Sequence, residues 1–194
     1  TLQAVLDDLL GGDSATVREY PLTTLLTIFR KVCDATAFAH SKGILHRDLK
    51  PENIMVGEYG EVLVMDWGLA KQIGTTEERG GTVAVRAHTD MGMTMEGEVM
   101  GTPQYMSPEQ AEGMVADLDP RSDIYSLGGI LYALLTLRPP IEGTTLNEVL
   151  TKVKSGAIRT MQTKRGSAKV EVGTPAAMER QVPEALQAVT LKAM

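Results

Sequence analysis

The sequence predicts a mainly α-helical domain that carries one small β-hairpin. Apolar residues recur at steps of three and four from Leu22 to Cys33, and a dense apolar run extends from Ser122 to Leu137. Two shorter runs, IMV at 54–56 and EVLVM at 61–65, are separated by Gly57 and Gly60. The first two patterns carry the helical period, and the third is that of two strands joined by a tight turn.

The bulk properties set limits. A chain of 194 residues, 43% hydrophobic and 23% charged, fits one globular domain able to bury a core. Its formal charge of -6 argues against nucleic acid as a partner. No apolar run reaches the roughly 18 residues that a membrane-spanning helix needs, so no membrane segment is expected in these residues. The single cysteine, Cys33, lies in an apolar helical pattern and is expected to be a buried small hydrophobe in a reducing, cytoplasmic compartment.

The elements follow in order. Residues 2–10 put their leucines on one helical face and stop at Gly11 and Gly12. Pro21 is a suitable first residue for a long core-facing helix that runs toward Gly43. A loop, ILHRDLKPEN, leads into the hairpin. Residues 67–106 are rich in Gly, Thr and Met without sustained periodicity, and read as a regulatory loop. The methionines at 91, 93, 95, 100 and 106 are expected to pack that loop rather than bind metal. Asp119 and Pro120 open the second apolar helix, which Pro139 and Pro140 are expected to end. A further helix is expected near 145–155, then a solvated stretch with Lys164, Arg165 and Lys169, then a helix from Pro183 onward.

Four motifs carry chemistry. His46, Arg47, Asp48 and Asn53 stand in the spacing H-R-D-x-x-x-x-N, here HRDLKPEN. Asp66, Trp67 and Gly68 close the second hairpin strand. GTPQYMSPE spans Gly101 to Glu109, and SDIYSLG opens the central helix at Ser122. A lone histidine is more often a satisfied core residue, and a lone aspartate more often a turn residue. Four motifs in fixed order at fixed spacing resemble the serine/threonine protein kinase catalytic domain.

The resemblance covers nearly all of residues 1–194 and is tightest from Ile44 to Leu137. It implies the large, C-terminal lobe of the kinase fold, with an activation segment at about 66–109. It also implies ATP and Mg²⁺ as cofactors and protein substrates bearing Ser or Thr. Asp48 resembles the carboxylate that accepts the proton of the substrate hydroxyl, and Lys50 the residue that meets the transferring phosphate. Asn53 and Asp66 resemble the family's metal ligands, a suitable role for hard oxygen donors. Thr102 resembles the threonine that contacts the catalytic aspartate and lysine. Asp123 resembles the residue that holds the HRD loop by accepting its amide hydrogens. Trp67 replaces the usual phenylalanine of D-F-G. DWGLAK and GTPQYMSPEQA are similar to bacterial kinases of the eukaryotic type, which are often tethered to the membrane outside their kinase domain.

Arg47 before Asp48 suggests a loop ordered by phosphorylation, with Thr82, Thr89 and Thr94 as candidates and Thr94 favoured. The family's glycine-rich G-x-G-x-x-G cover, V-A-I-K lysine and helical glutamate do not stand in these residues. VAVR at 83–86 follows DWG and ends in Arg, so it does not supply the lysine. The small lobe is therefore expected to be a missing partner of the same chain, and these residues alone are expected to be inactive. Glu109 is expected to lack the arginine that pairs with it in the family. The alternatives are a pseudokinase or scaffold lobe, which the intact Asp48, Asn53 and Asp66 oppose, and a nucleotide-free helical interaction module.

Overall fold

The structure, a computed structural model, describes residues 1–73, 103–114, 118–158 and 182–194. Helix α1, Leu2–Gly11, is capped by the Thr1 hydroxyl, which accepts from the Ala4 amide, and ends at Gly12 with φ 78°. Only a residue without a side chain enters that left-handed region at little cost. Its Leu2, Leu6 and Leu9 are buried. A short helix α2, Ser14–Glu19, follows and was not expected from periodicity. It is set by Asp13, whose carboxylate accepts from the Thr16 amide at 2.8 Å.

Helix α3, Leu22–Ser41, buries Leu25, Ile28, Val32, Thr36 and Ala39. Pro21 is its N-cap rather than its first helical residue, because its ψ of 162° is extended. Strand β1 is Ile44–Leu45. The expected hairpin is β2, Ile54–Val56, paired antiparallel with β3, Val62–Val64, with Ile54 opposite Val64 and Val56 opposite Val62. Gly60, at φ 81°, makes the turn, and Lys31 of α3 donates to its carbonyl at 2.6 Å.

A second antiparallel pair was not anticipated. Strand β4, Lys71–Gln72, lies against β1, with Leu45 opposite Lys71. Two-residue strands carry no alternation to read, so the pairing is a tertiary outcome.

Helix α4, Pro108–Ala111, precedes the central helix α5, Pro120–Thr136. Asp119 caps α5 and Pro120 takes its first position, as expected. The helix stops at Leu137, in a left-handed conformation at φ 59°, before Pro139 and Pro140 are reached. Leu137 tolerates that backbone because its side chain is buried in the core. Helix α6, Leu146–Lys154, and helix α7, Glu184–Ala193, complete the described elements. Lys164, Arg165 and Lys169 lie outside the described residues.

The main core joins the leucines of α1 to Leu25, Ile28 and Val32 of α3 and to Ile130, Ala133 and Leu134 of α5. Leu49, Ile54 and Tyr105 extend it under the loop that follows β1. The opposite side of α5 packs Leu131, Tyr132 and Leu135 against Leu22 and Leu26 of α3 and Leu186 of α7. The mainly helical fold with a small β-hairpin is the one expected. Among the described residues no helix is long and apolar enough to cross a membrane.

Cys33 is half-buried in α3 rather than fully enclosed. Burial, with the Asp34 carboxylate adding to it, pushes its thiol up to about 11. The thiolate is the reactive form. Alkylation by iodoacetamide is therefore expected to stay slow at pH 8 in the folded chain and to accelerate only toward pH 11. Fast native-state labelling at pH 8, matching that of the denatured chain, would contradict this environment.

Candidate active site

The site is built on the segment between β1 and β4. Its foundation is Asp123, in the first turn of α5, 1% exposed. One carboxylate oxygen accepts from the His46 amide at 2.9 Å and from the His40 ring at 2.7 Å. The other accepts from the Arg47 amide at 2.9 Å. A buried carboxylate at a helix N-terminus is stabilised by these donors and by the helix dipole, and the donors in turn have their only low-cost acceptor. The chain is thereby fixed immediately before Asp48.

His46 links the loop to the hairpin. Its Nδ1 accepts from the Asp48 amide at 3.2 Å, and its Nε2 donates to the Met65 carbonyl at 2.9 Å. One ring nitrogen accepting and the other donating describes the neutral imidazole. The ring is buried and packs tilted on the Trp67 indole, centroids 4.5 Å apart. The indole N–H bonds back to the Val64 carbonyl at 2.9 Å. The bulkier aromatic at this position is thus accommodated by stacking on His46 and capping β3.

Asp48 points its Oδ2 at two donors. The Asn53 amide nitrogen donates to it at 2.9 Å and to the Asp48 carbonyl at 2.8 Å. The Lys50 ammonium lies 2.8 Å away, with both ion-pair side chains largely buried. The compact turn Pro51–Asn53 makes this possible by folding the amide back over the loop. With its nitrogen spent on Asp48, Asn53 presents its amide oxygen on the opposite side, and among the described residues nothing hydrogen-bonds that oxygen.

Asp66 is exposed and left-handed, φ 61°. It follows Met65, whose amide donates to the Asn53 carbonyl at 2.8 Å. The hairpin therefore brings the residue next to Asp66 against the Asn53 backbone, while Asp48, Lys50 and Asn53 are joined by direct contacts. Thr102, and with it Thr82, Thr89 and Thr94, lies outside the described residues, as do Met91, Met93, Met95 and Met100. The Asn53 oxygen and the Asp66 carboxylate are hard donors of the kind magnesium takes alongside phosphate oxygens and water. The donor set fits that ion.

Two residues that sequence reasoning passed over belong to this framework. His40, on α3, completes the shell of Asp123, with a polar position on an apolar helix face as its only signal. Gln110, in α4, donates to the Arg47 carbonyl at 2.7 Å. The S-x-x-Q spacing of Ser107 and Gln110, a helix-start signature, was the readable sign. Glu109, expected to lack the arginine that pairs with it in the family, has a different partner: α4 carries it to the start of α5, where it accepts from the Ser122 hydroxyl at 2.7 Å. Tyr105 is wedged beneath the loop, and burial, with the Glu52 and Asp7 carboxylates adding to it, raises its phenol well above the ordinary range.

The sequence model described as "Protein kinase domain" matches residues 5–189. The chain belongs to the protein kinase family. It is 48% identical to the serine/threonine-protein kinase PknD of Protochlamydia amoebophila over 143 residues, 73% of this chain and 14% of that protein. It is 40% identical to PknD of Chlamydia caviae over 145 residues, 72% of this chain and 15% of that protein. It is 34% identical to PknD of Chlamydia felis over an alignment covering 100% of this chain and 20% of that protein. The similarity to bacterial serine/threonine kinases of the eukaryotic type is thus borne out. The kinase chain spans a fifth or less of the length of these curated relatives.

Proposed function

We propose that residues 1–194 form the larger lobe of a serine/threonine kinase domain, and that the parent protein transfers the terminal phosphoryl group of ATP to Ser or Thr hydroxyls of proteins. The observation that carries this reading is the Asp48 carboxylate, held between the Asn53 amide and the Lys50 ammonium within one short loop. Such chemistry depends on positioning and charge rather than on covalent help from the protein.

In this reading Asp48 orients the substrate hydroxyl and takes its proton as the new oxygen–phosphorus bond forms and the bond to the leaving ADP oxygen breaks. Lys50 places positive charge where the phosphate oxygens gather it. The Asn53 oxygen and the Asp66 carboxylate would hold Mg²⁺, which would supply neutralisation of phosphate charge. Thr102 would help orient the hydroxyl. The hairpin turns Met55, Leu63 and Met65 outward, an apolar face suited to cover by a second lobe of the same chain and by the nucleotide.

The test uses the purified parent protein, with ATP binding followed by calorimetry in the presence and absence of Mg²⁺. Asp66→Asn is expected to weaken Mg²⁺-dependent binding about tenfold or more, by removing a charged ligand. The isolated 194 residues are expected to phosphorylate nothing. Unaltered Mg²⁺-dependent binding by the Asp66→Asn protein would refute the ligand assignment, and vigorous autophosphorylation of the isolated chain would refute the need for a second lobe.

A further inference from the structure

Gln110 uses both ends of its amide, one on the start of its own helix and one on the loop before Asp48. The side chain is 2% exposed. Its Oε1 accepts from the backbone N–H and the hydroxyl of Ser107, both at 3.1 Å. A backbone N–H can only donate and a carbonyl can only accept, so the amide orientation is fixed by its partners. Its Nε2 therefore faces the Arg47 carbonyl, at 2.7 Å. The N–H of the same Arg47 is held by Asp123 at 2.9 Å. Arg47 has φ 67°, a left-handed conformation that a residue with a side chain keeps only when its surroundings hold it.

We infer that Gln110 is a positioning residue that, with Asp123, sets the backbone of Arg47 and so aims Asp48. Its base is rigid. The turn Pro103–Tyr105 is tied to α5 through the Ser126 hydroxyl, which donates to the Tyr105 carbonyl at 2.8 Å. Glu109 is tied to α5 through Ser122. Any shift of residues 103–110 relative to α5 therefore pulls on the residue preceding the candidate base. The peptide of Arg47 is gripped at its N–H from α5 and at its C=O from α4, and Gln110 is the only described side chain joining the second grip to the loop.

This inference rests on the reading of the site as a phosphoryl-transfer centre, and its test has one readout that needs no turnover. In the parent protein, Gln110→Glu keeps an acceptor for Ser107 but has no hydrogen to give the Arg47 carbonyl. Gln110→Met keeps the volume and loses all three bonds. Ser107→Ala removes the hydroxyl and keeps the grip on Arg47. Both Gln110 variants are expected to lower kcat about ten- to a hundredfold with KM for ATP little changed, the size of effect that slight misplacement of a reacting group produces. Amide hydrogen exchange of residues 46–49, read well below each variant's melting transition, is expected to quicken in both. Ser107→Ala is expected to leave kcat and that exchange as they were.

Wild-type kcat and unchanged exchange in Gln110→Glu would overturn the inference and reduce Gln110 to a helix cap. Quickened exchange in the Gln110 variants, in a parent protein that transfers no phosphate at all, would support the grip on Arg47 while refuting the functional reading beneath it.

Discussion

Replacing Asp48 by alanine in the parent protein is expected to lower phosphoryl transfer by a factor of about 10² to 10⁴, the range that loss of a positioned proton acceptor produces. The loss should fall on kcat. In the proposed mechanism Asp48 acts on the incoming hydroxyl, whereas the Mg²⁺ ligands of the proposal, Asn53 and Asp66, remain. Steady-state kinetics with a Ser/Thr peptide checks this, with KM for ATP expected to change little. Asp48→Asn separates charge from shape. It can still accept from the Asn53 amide or the Lys50 ammonium through its one oxygen, yet it has no basic oxygen for the substrate proton, so its kcat should fall almost as far. A kcat in Asp48→Ala near that of the native protein would remove Asp48 from the chemistry.

The second large effect concerns stability. Asp123→Ala would leave the amides of His46 and Arg47 and the His40 ring without their acceptor inside the fold. Each stranded buried donor costs about 1–3 kcal/mol, and breaking a buried charged network about 3–5 kcal/mol. For a domain of this size that corresponds to a fall in melting temperature of roughly 10 °C. Asp123→Asn should fall between, since its amide offers one acceptor where two loop amides need one each. Thermal unfolding followed by circular dichroism decides the matter, and an Asp123→Ala protein that melts where the native one does would show that the loop amides are satisfied otherwise.

Much of this arrangement was legible in the sequence because it is local. The hairpin could be read from IMV and EVLVM with their intervening glycines, and its observed strands fall inside those runs. The central helix could be read from Asp119, Pro120 and the apolar run behind them, and α1 from its leucines and terminal glycines. The site residues could be read because a fixed spacing around Asp48 folds one short loop back on itself, bringing Asn53 onto Asp48 within five residues.

What escaped the reading depends on contacts between distant parts of the chain. Strands β1 and β4 are too short to show alternation and exist because the loop ends meet. Gln110 is separated from Arg47 by most of the sequence between the motifs, and only its role in starting α4 was visible. The partner of Glu109 was missed for the same reason, since Ser122 counts as an ordinary helix residue until α4 is laid against it. The end of the central helix at Leu137 was legible, but its cause was not, since a left-handed leucine is an unfavourable local choice that core burial overrides.

The short ladder between Ile44–Leu45 and Lys71–Gln72 closes the stretch holding Asp48, Lys50, Asn53 and Asp66 into a ring, fastened where it enters and where it leaves. A ring closed at its ends and pinned within by Asp123 and Gln110 does not fray from an end. The four groups should consequently be lost and regained together, in one cooperative opening, so that molecules carrying only half of the constellation are scarce at equilibrium.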